Sequence, residues 1–153
     1  MRQRGAVTTA LALVVTLAFS GAAGAKDKPM SAKQFRKTAS NICDQANQLR
    51  SQVADQYFGG NDTQPDLQTI TAYVNDVKPI VQQQIDGIAA LRPPKSLKKK
   101  VKKLLASARH ELAALVDDPS IALESDPFAG TNELAKKLDL PACAGEATRA
   151  GGE

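Results

Sequence analysis

The chain has 153 residues, 42% hydrophobic and 24% charged, which excludes a disordered polymer and sets the scale of one domain. Its net charge of +4 is weak evidence for an anionic partner, because an export leader carries part of it. Arg2 and Arg4 precede an apolar run from Ala6 to Phe19, and Ala23-Gly24-Ala25 offers small residues for cleavage.

That run is shorter than the roughly 20 residues that span a bilayer. Removing the signal peptide, 1–25, leaves 128 residues with 18 Lys+Arg against 16 Asp+Glu, a net charge of +2. From there on strand signals are lacking, and apolar residues recur at helical period. Ser31-Ala32-Lys33-Gln34 has the form of a capping box, with Ser31 as cap and Gln34 reaching back. Phe35, Ala39, Ile42 and Cys43, then Ala46, Leu49, Val53 and Tyr57, fall within one arc of about 120°. Gly59-Gly60-Asn61-Asp62 ends this first helix.

Asp66 begins the second. Leu67, Ile70, Val74 and Val77, followed by Val81, Ile85 and Ile88, hold one phase to Pro93-Pro94, where the helix must stop. Pro79 breaks a backbone hydrogen bond midway. It points about 160° from the stripe centre, which predicts one long helix bent around the core with Pro79 on the solvent side. Ser96 is the expected cap of the third helix, whose inner residues are Leu97, Val101, Leu104, Leu105, Ala108, Leu112 and Leu115. Asp117-Asp118-Pro119 interrupts it and starts a short helical turn through Leu123. Asp126-Pro127 reads as an acid cap followed by proline at the first helical position. Phe128, Leu134, Ala135 and Leu138 make the fourth helix, closed by Pro141, and 145–153 is expected to be a frayed tail.

The expected fold class is therefore all-α: an antiparallel four-helix bundle over 26–144, preceded by the signal peptide. Cys43 and Cys143 in an exported chain predict one disulfide between them, with an intermolecular bond as the alternative. Closing a loop of about 100 residues restrains the unfolded chain by about 4.7 kcal/mol in the entropic model. No metal or cofactor is expected, since two distant Cys and a single His supply too few soft ligands. No Cys follows the apolar run closely enough for a lipid-anchored leader.

Function is less legible. Arg92, Lys95, Lys98, Lys99, Lys100, Lys102 and Lys103, with Arg109 further on, fill the arc left free by the third stripe. One reading is a patch for an anionic cell-wall polymer, a lipid headgroup or an acidic protein. The other is a solvated face whose lysine stems shield the core edge. The lack of any acid from Lys95 to Lys103 keeps the first reading open. Nucleic acid fits poorly, because there is no Trp and aromatics are few.

His110, the single histidine, projects about 190° from its stripe centre with no natural partner in Glu111, so general acid–base work has no second group. No Ser/His/Asp, Cys/His or metal constellation is visible, and the expectation is a protein that is not an enzyme. Asp117, Asp118, Glu124 and Asp126 lack the spacing and glycine of a calcium loop, and Asp118 and Asp126 read as caps. Tyr57 and Phe58 either line a cleft between helix ends or plug the core. Ala-rich stripes leave room inside, which supplies the alternative reading: a carrier of a small apolar ligand.

Ile42-Cys43-Asp44-Gln45-Ala46-Asn47, Leu91-Arg92-Pro93-Pro94 and Leu140-Pro141-Ala142-Cys143 follow the leader in that order. This pattern resembles a family of uncharacterised small exported helical proteins of high-GC Gram-positive bacteria. Asp139 stands where glycine is usual, a departure at the end of the fourth helix because Asp tolerates left-handed geometry less well. The resemblance implies a helical, disulfide-tied, secreted or envelope-associated module and supplies no catalytic residue.

Overall fold

The computed structural model describes residues 28–59 and 65–145, and all regular structure among them is helical. The leader at 1–25 and the segment 146–153 lie outside the described residues, as do three of the four residues expected to end the first helix, 60–62.

Helix α1, Ala32–Phe58, begins at the capping box: Gln34 N–H donates to Ser31 Oγ at 3.2 Å and Ser31 N–H to Gln34 Oε1 at 3.0 Å. Gly59 follows it, donating to Asp55 O at 2.9 Å. A side chain there would run into that same carbonyl, so the close approach selects glycine. Phe35, Ala39, Cys43 and Ala46 are buried as the stripe requires, but Leu49 is 44% exposed and Asn47 is buried in its stead.

Helix α2, Leu67–Ala89, starts at Asp66, whose carboxylate accepts the Thr69 N–H at 2.7 Å; that bond holds Asp66 below the usual carboxylate range. Ile70, Val74, Val77, Val81, Ile85 and Ile88 are buried, whereas Leu67 is 50% exposed. The helix runs unbroken through Pro79, which is exposed. Helix α3, Lys95–Asp117, departs from expectation at its start. Its cap is Pro94, whose carbonyl accepts from Leu97 and Lys98, and Ser96 lies inside the first turn without capping it.

Helix α4 is the single turn Ile121–Glu124, and α5 is Ala129–Lys136. Pro127 therefore sits before α5 rather than at its first position. Asp126 still acts as an acceptor, taking the Phe128 N–H at 2.9 Å and the Asn132 side chain at 2.8 Å. A 3-10 turn, Pro141–Ala144, closes the described chain, with Gly145 left-handed after it.

The end of α5 resolves the Asp139 departure. Asp139 takes φ 56°, Leu140 N–H reaches back to Ala135 O and Asp139 N–H to Lys136 O, the two bonds of a Schellman motif. The aspartate accepts left-handed geometry, and Arg36 secures the site: its Nε donates to Leu138 O at 2.9 Å and its Nη2 lies 3.2 Å from Asp139. Left-handed geometry costs a non-glycine residue about 1 kcal/mol, more than the exposed ion pair returns. Asp139→Gly is accordingly expected to leave stability equal or raised by about 0.5 kcal/mol, and Asp139→Ala to lower it by about 1 kcal/mol, in urea unfolding.

Packing runs α1 on α2, α2 on α3 and α3 on α5, and the 3-10 turn joins α5 back to α1. Cys43 and Cys143 are bonded across that last junction, with Cα atoms 5.1 Å apart. Around them lies the largest apolar cluster: Phe35, Ala39, Leu97, Val101, Leu138 and Leu140. Two smaller clusters follow along α2 and α3, the further one built on Ile70, Val74 and Leu115 with Phe58, Tyr73 and Phe128 against it.

Candidate functional site: a cleft between α1 and α5

The lengths of the helices create an opening. At 1.5 Å per residue α5 covers about 12 Å, while α1 extends for about 40 Å. Helix α1 lies along α2 and α5 along part of α3, and the 3-10 turn joins them at the disulfide end only. The result is a cleft of about 1260 Å³, above the roughly 300–1,000 Å³ usual for small-molecule sites.

Its floor is apolar: Val77, Val81 and Ile85 from α2, with Leu104, Ala108 and Leu112 from α3. Cys143 and Ala144 stand at one end, and Phe58, Tyr73 and Phe128 at the other. The rings of Phe58 and Tyr73 lie 4.9 Å apart, and Tyr57 meets Tyr73 edge-on at 6.0 Å. The two roles weighed for Phe58 thus coincide, because the plug of the far end is also the end wall of the cleft. Tyr57 faces outward to Asp76, donating to its Oδ2 at 2.6 Å, and that bond raises the phenol above its ordinary value.

The walls carry many polar side chains, of which three bear on the site. Asn47 donates to Ala142 O at 2.8 Å, which ties α1 to the 3-10 turn, and its Oδ1 accepts from Arg50 Nη2. Arg50 Nε is buried without a hydrogen-bond partner, and so is Thr131 Oγ1 on the α5 wall. Among the described residues these are the two buried side-chain atoms in that state, and both residues line this cleft. Burial lowers the Arg50 guanidinium from its ordinary value, with Tyr73 opposing, and burial raises the Tyr73 phenol, with Arg50 opposing. An arginine stays charged nonetheless.

Helix α5 is tied to α3 at its first turn. Glu111 accepts the Thr131 N–H at 3.1 Å and the Ser107 hydroxyl at 3.1 Å. Its carboxylate thereby satisfies a free donor of the first turn of α5. Glu111 is not a partner for His110, which is exposed, but it has this structural role.

The lysine face lies elsewhere. Arg92, Lys95, Lys98, Lys99, Lys100, Lys102 and Lys103 are exposed, and none forms an ion pair among the described residues. Arg109 separates from them, 3.4 Å from Asp86 at the edge of a shallower trough of about 400 Å³ on the outer side of α2 and α3. Asp118 accepts from the Ser120 N–H and hydroxyl as a turn residue. Among the described residues no group of three His, Cys, Asp or Glu could hold a metal, and no helix is long and apolar enough to cross a membrane.

Sequence reasoning passed over Asn47, Arg50 and Thr131. A signal existed: Cys43, Asn47, Arg50 and Ala54 share one helix face within about 60°, so an arginine continues the apolar stripe. Compared with protein families, with curated proteins and with solved structures, the chain matches none.

Proposed function

We propose that the chain is an exported, non-enzymatic helical module that carries a small apolar ligand in the cleft between α1 and α5. The observation that carries this is the cleft: an apolar floor of valine, isoleucine, leucine and alanine, walled at both ends and open along one side. On this reading α1, α2 and α3 form an antiparallel bundle whose fourth side α5 covers only in part. Tyr57 near the end of α1 bonds to Asp76, whereas Ile42 lies against Gly87 late in α2, which supports that direction. The disulfide suits an oxidising compartment.

Titration of the oxidised protein with N-phenylnaphthylamine tests the reading. One dye per chain is expected, and Ala54→Trp, which fills the cleft from the α1 wall, should abolish binding while circular dichroism stays unchanged. No binding, or equal binding by the filled variant, rejects it.

A second reading is favoured by the charge on α3. Its first turns hold five lysines between Lys98 and Lys103 with no acid in the first turn, at the end where the helix dipole is already positive. Pairs such as Lys98–Lys102 and Lys99–Lys103 repel at about 0.2–0.5 kcal/mol each. We infer that this face docks on an anionic envelope partner: a wall polymer, a headgroup or an acidic protein. Replacing Lys98, Lys99, Lys100, Lys102 and Lys103 by Gln is expected to stabilise the fold by about 1 kcal/mol and to abolish salt-sensitive binding to phosphatidylglycerol vesicles or purified wall. Undiminished binding by that variant rejects the docking face.

A further inference from the structure

Arg50 narrows the class of ligand, on the premise that the cleft is the carrier site proposed above. Its guanidinium forms no ion pair among the described residues, and its Nε is sealed from water without a partner. A cation largely withdrawn from water is costly unless an anion meets it. The group is also held in place, because Nη2 bonds to Asn47 and Asn47 is anchored on Ala142 O. What remains is a fixed guanidinium that lines the cleft with no carboxylate of this chain against it, a group that suits a carboxylate ligand.

We propose that the cleft takes a single-chain amphiphile with a carboxylate head, seated on Arg50, its hydrocarbon lying along the α2–α3 floor. The charge count favours one negative charge over two. Arg50 stands alone, Lys136 at the rim is 3.8 Å from Glu133, and the other rim charges are Asp44 and Asp126. Outside the Lys136–Glu133 pair, a phosphate monoester would meet one cation, Arg50, and two carboxylates, Asp44 and Asp126. The floor from Val74 to Ile88 runs about 21 Å at helical rise, long enough for an extended alkyl chain.

Calorimetric titration of the oxidised full chain with dodecanoate, dodecanol and dodecyl phosphate tests this. Dodecanoate is expected to bind about tenfold to a hundredfold more tightly than dodecanol, the worth of a charge-assisted hydrogen bond. Dodecyl phosphate should gain nothing further. Arg50→Gln should bring dodecanoate down to the level of dodecanol and leave dodecanol where it was, which also reports that the variant is folded. Equal affinity of the unaltered chain for dodecanoate and dodecanol overturns the carboxylate seat and leaves the carrier reading standing. Tighter binding of dodecyl phosphate than of dodecanoate overturns the monoanion. If none of the three binds, both proposals fall together.

Discussion

Loss of the Cys43–Cys143 bond is expected to lower stability by about 3–5 kcal/mol, the value for a closed loop of about 100 residues. Native domains are stable by only about 5–15 kcal/mol, so the reduced protein should unfold at a much lower urea concentration. The Cys43→Ala, Cys143→Ala double variant should match the reduced protein, which separates the cross-link from any effect of the reductant. The bond also has a place in the architecture. The ring of contacts from α1 through α2, α3 and α5 returns to α1 by way of the 3-10 turn, and Cys43–Cys143 lies at that return. Two non-covalent links share the junction, Asn47 to Ala142 and Arg36 to Leu138. A loss below about 1 kcal/mol would mean that those two bonds already hold the ends together. Ligand binding should weaken on reduction, because one end of the cleft is built from the same turn, whereas the lysine face, on the solvent side of α3, should bind as before.

Much of the fold was legible because it follows from period and punctuation. The α2 stripe from Ile70 to Ile88 is buried at each expected position, and Pro79 is tolerated because it lies on the opposite face. Ser31 and Asp66 cap where a short polar side chain precedes an apolar repeat. Ser96 fails as a cap because the extended geometry of Pro94 already places its carbonyl to accept two amides. The stripe of α1 is misread at Leu49 for a different reason. Beyond Cys43 the inward face turns toward Asn47, Arg50 and Ala54, residues whose polarity or small size hides them from a search for large apolar side chains. The cleft itself was not legible, since it depends on how little of α1 is opposed by α5, a difference in length that appears only when both ends of α5 are known.

Phe35→Ala is expected to cost about 3–5 kcal/mol, the range for an aromatic fully enclosed in a core. Phe35 is inaccessible to solvent and packs in the cluster with Leu97, Val101, Leu138 and Leu140, at the end of the molecule closed by the disulfide. A paired comparison shows what this says about the cleft. Val101 and Val77 are both buried, at 4% and 5% exposure, but Val101 belongs to that dense cluster whereas Val77 faces the cleft. Val101→Ala should cost about 2–3 kcal/mol, because neighbours on every side lose contacts. Val77→Ala should cost about 1 kcal/mol, since one side of the valine has few partners to lose. Urea unfolding of the three variants measures this directly. Equal losses at positions 77 and 101 would mean that α1 and α5 close over the floor in solution, leaving no room for a ligand beside Arg50. Unequal losses in the stated order fit a molecule packed tightly at the disulfide end and loosely where it binds.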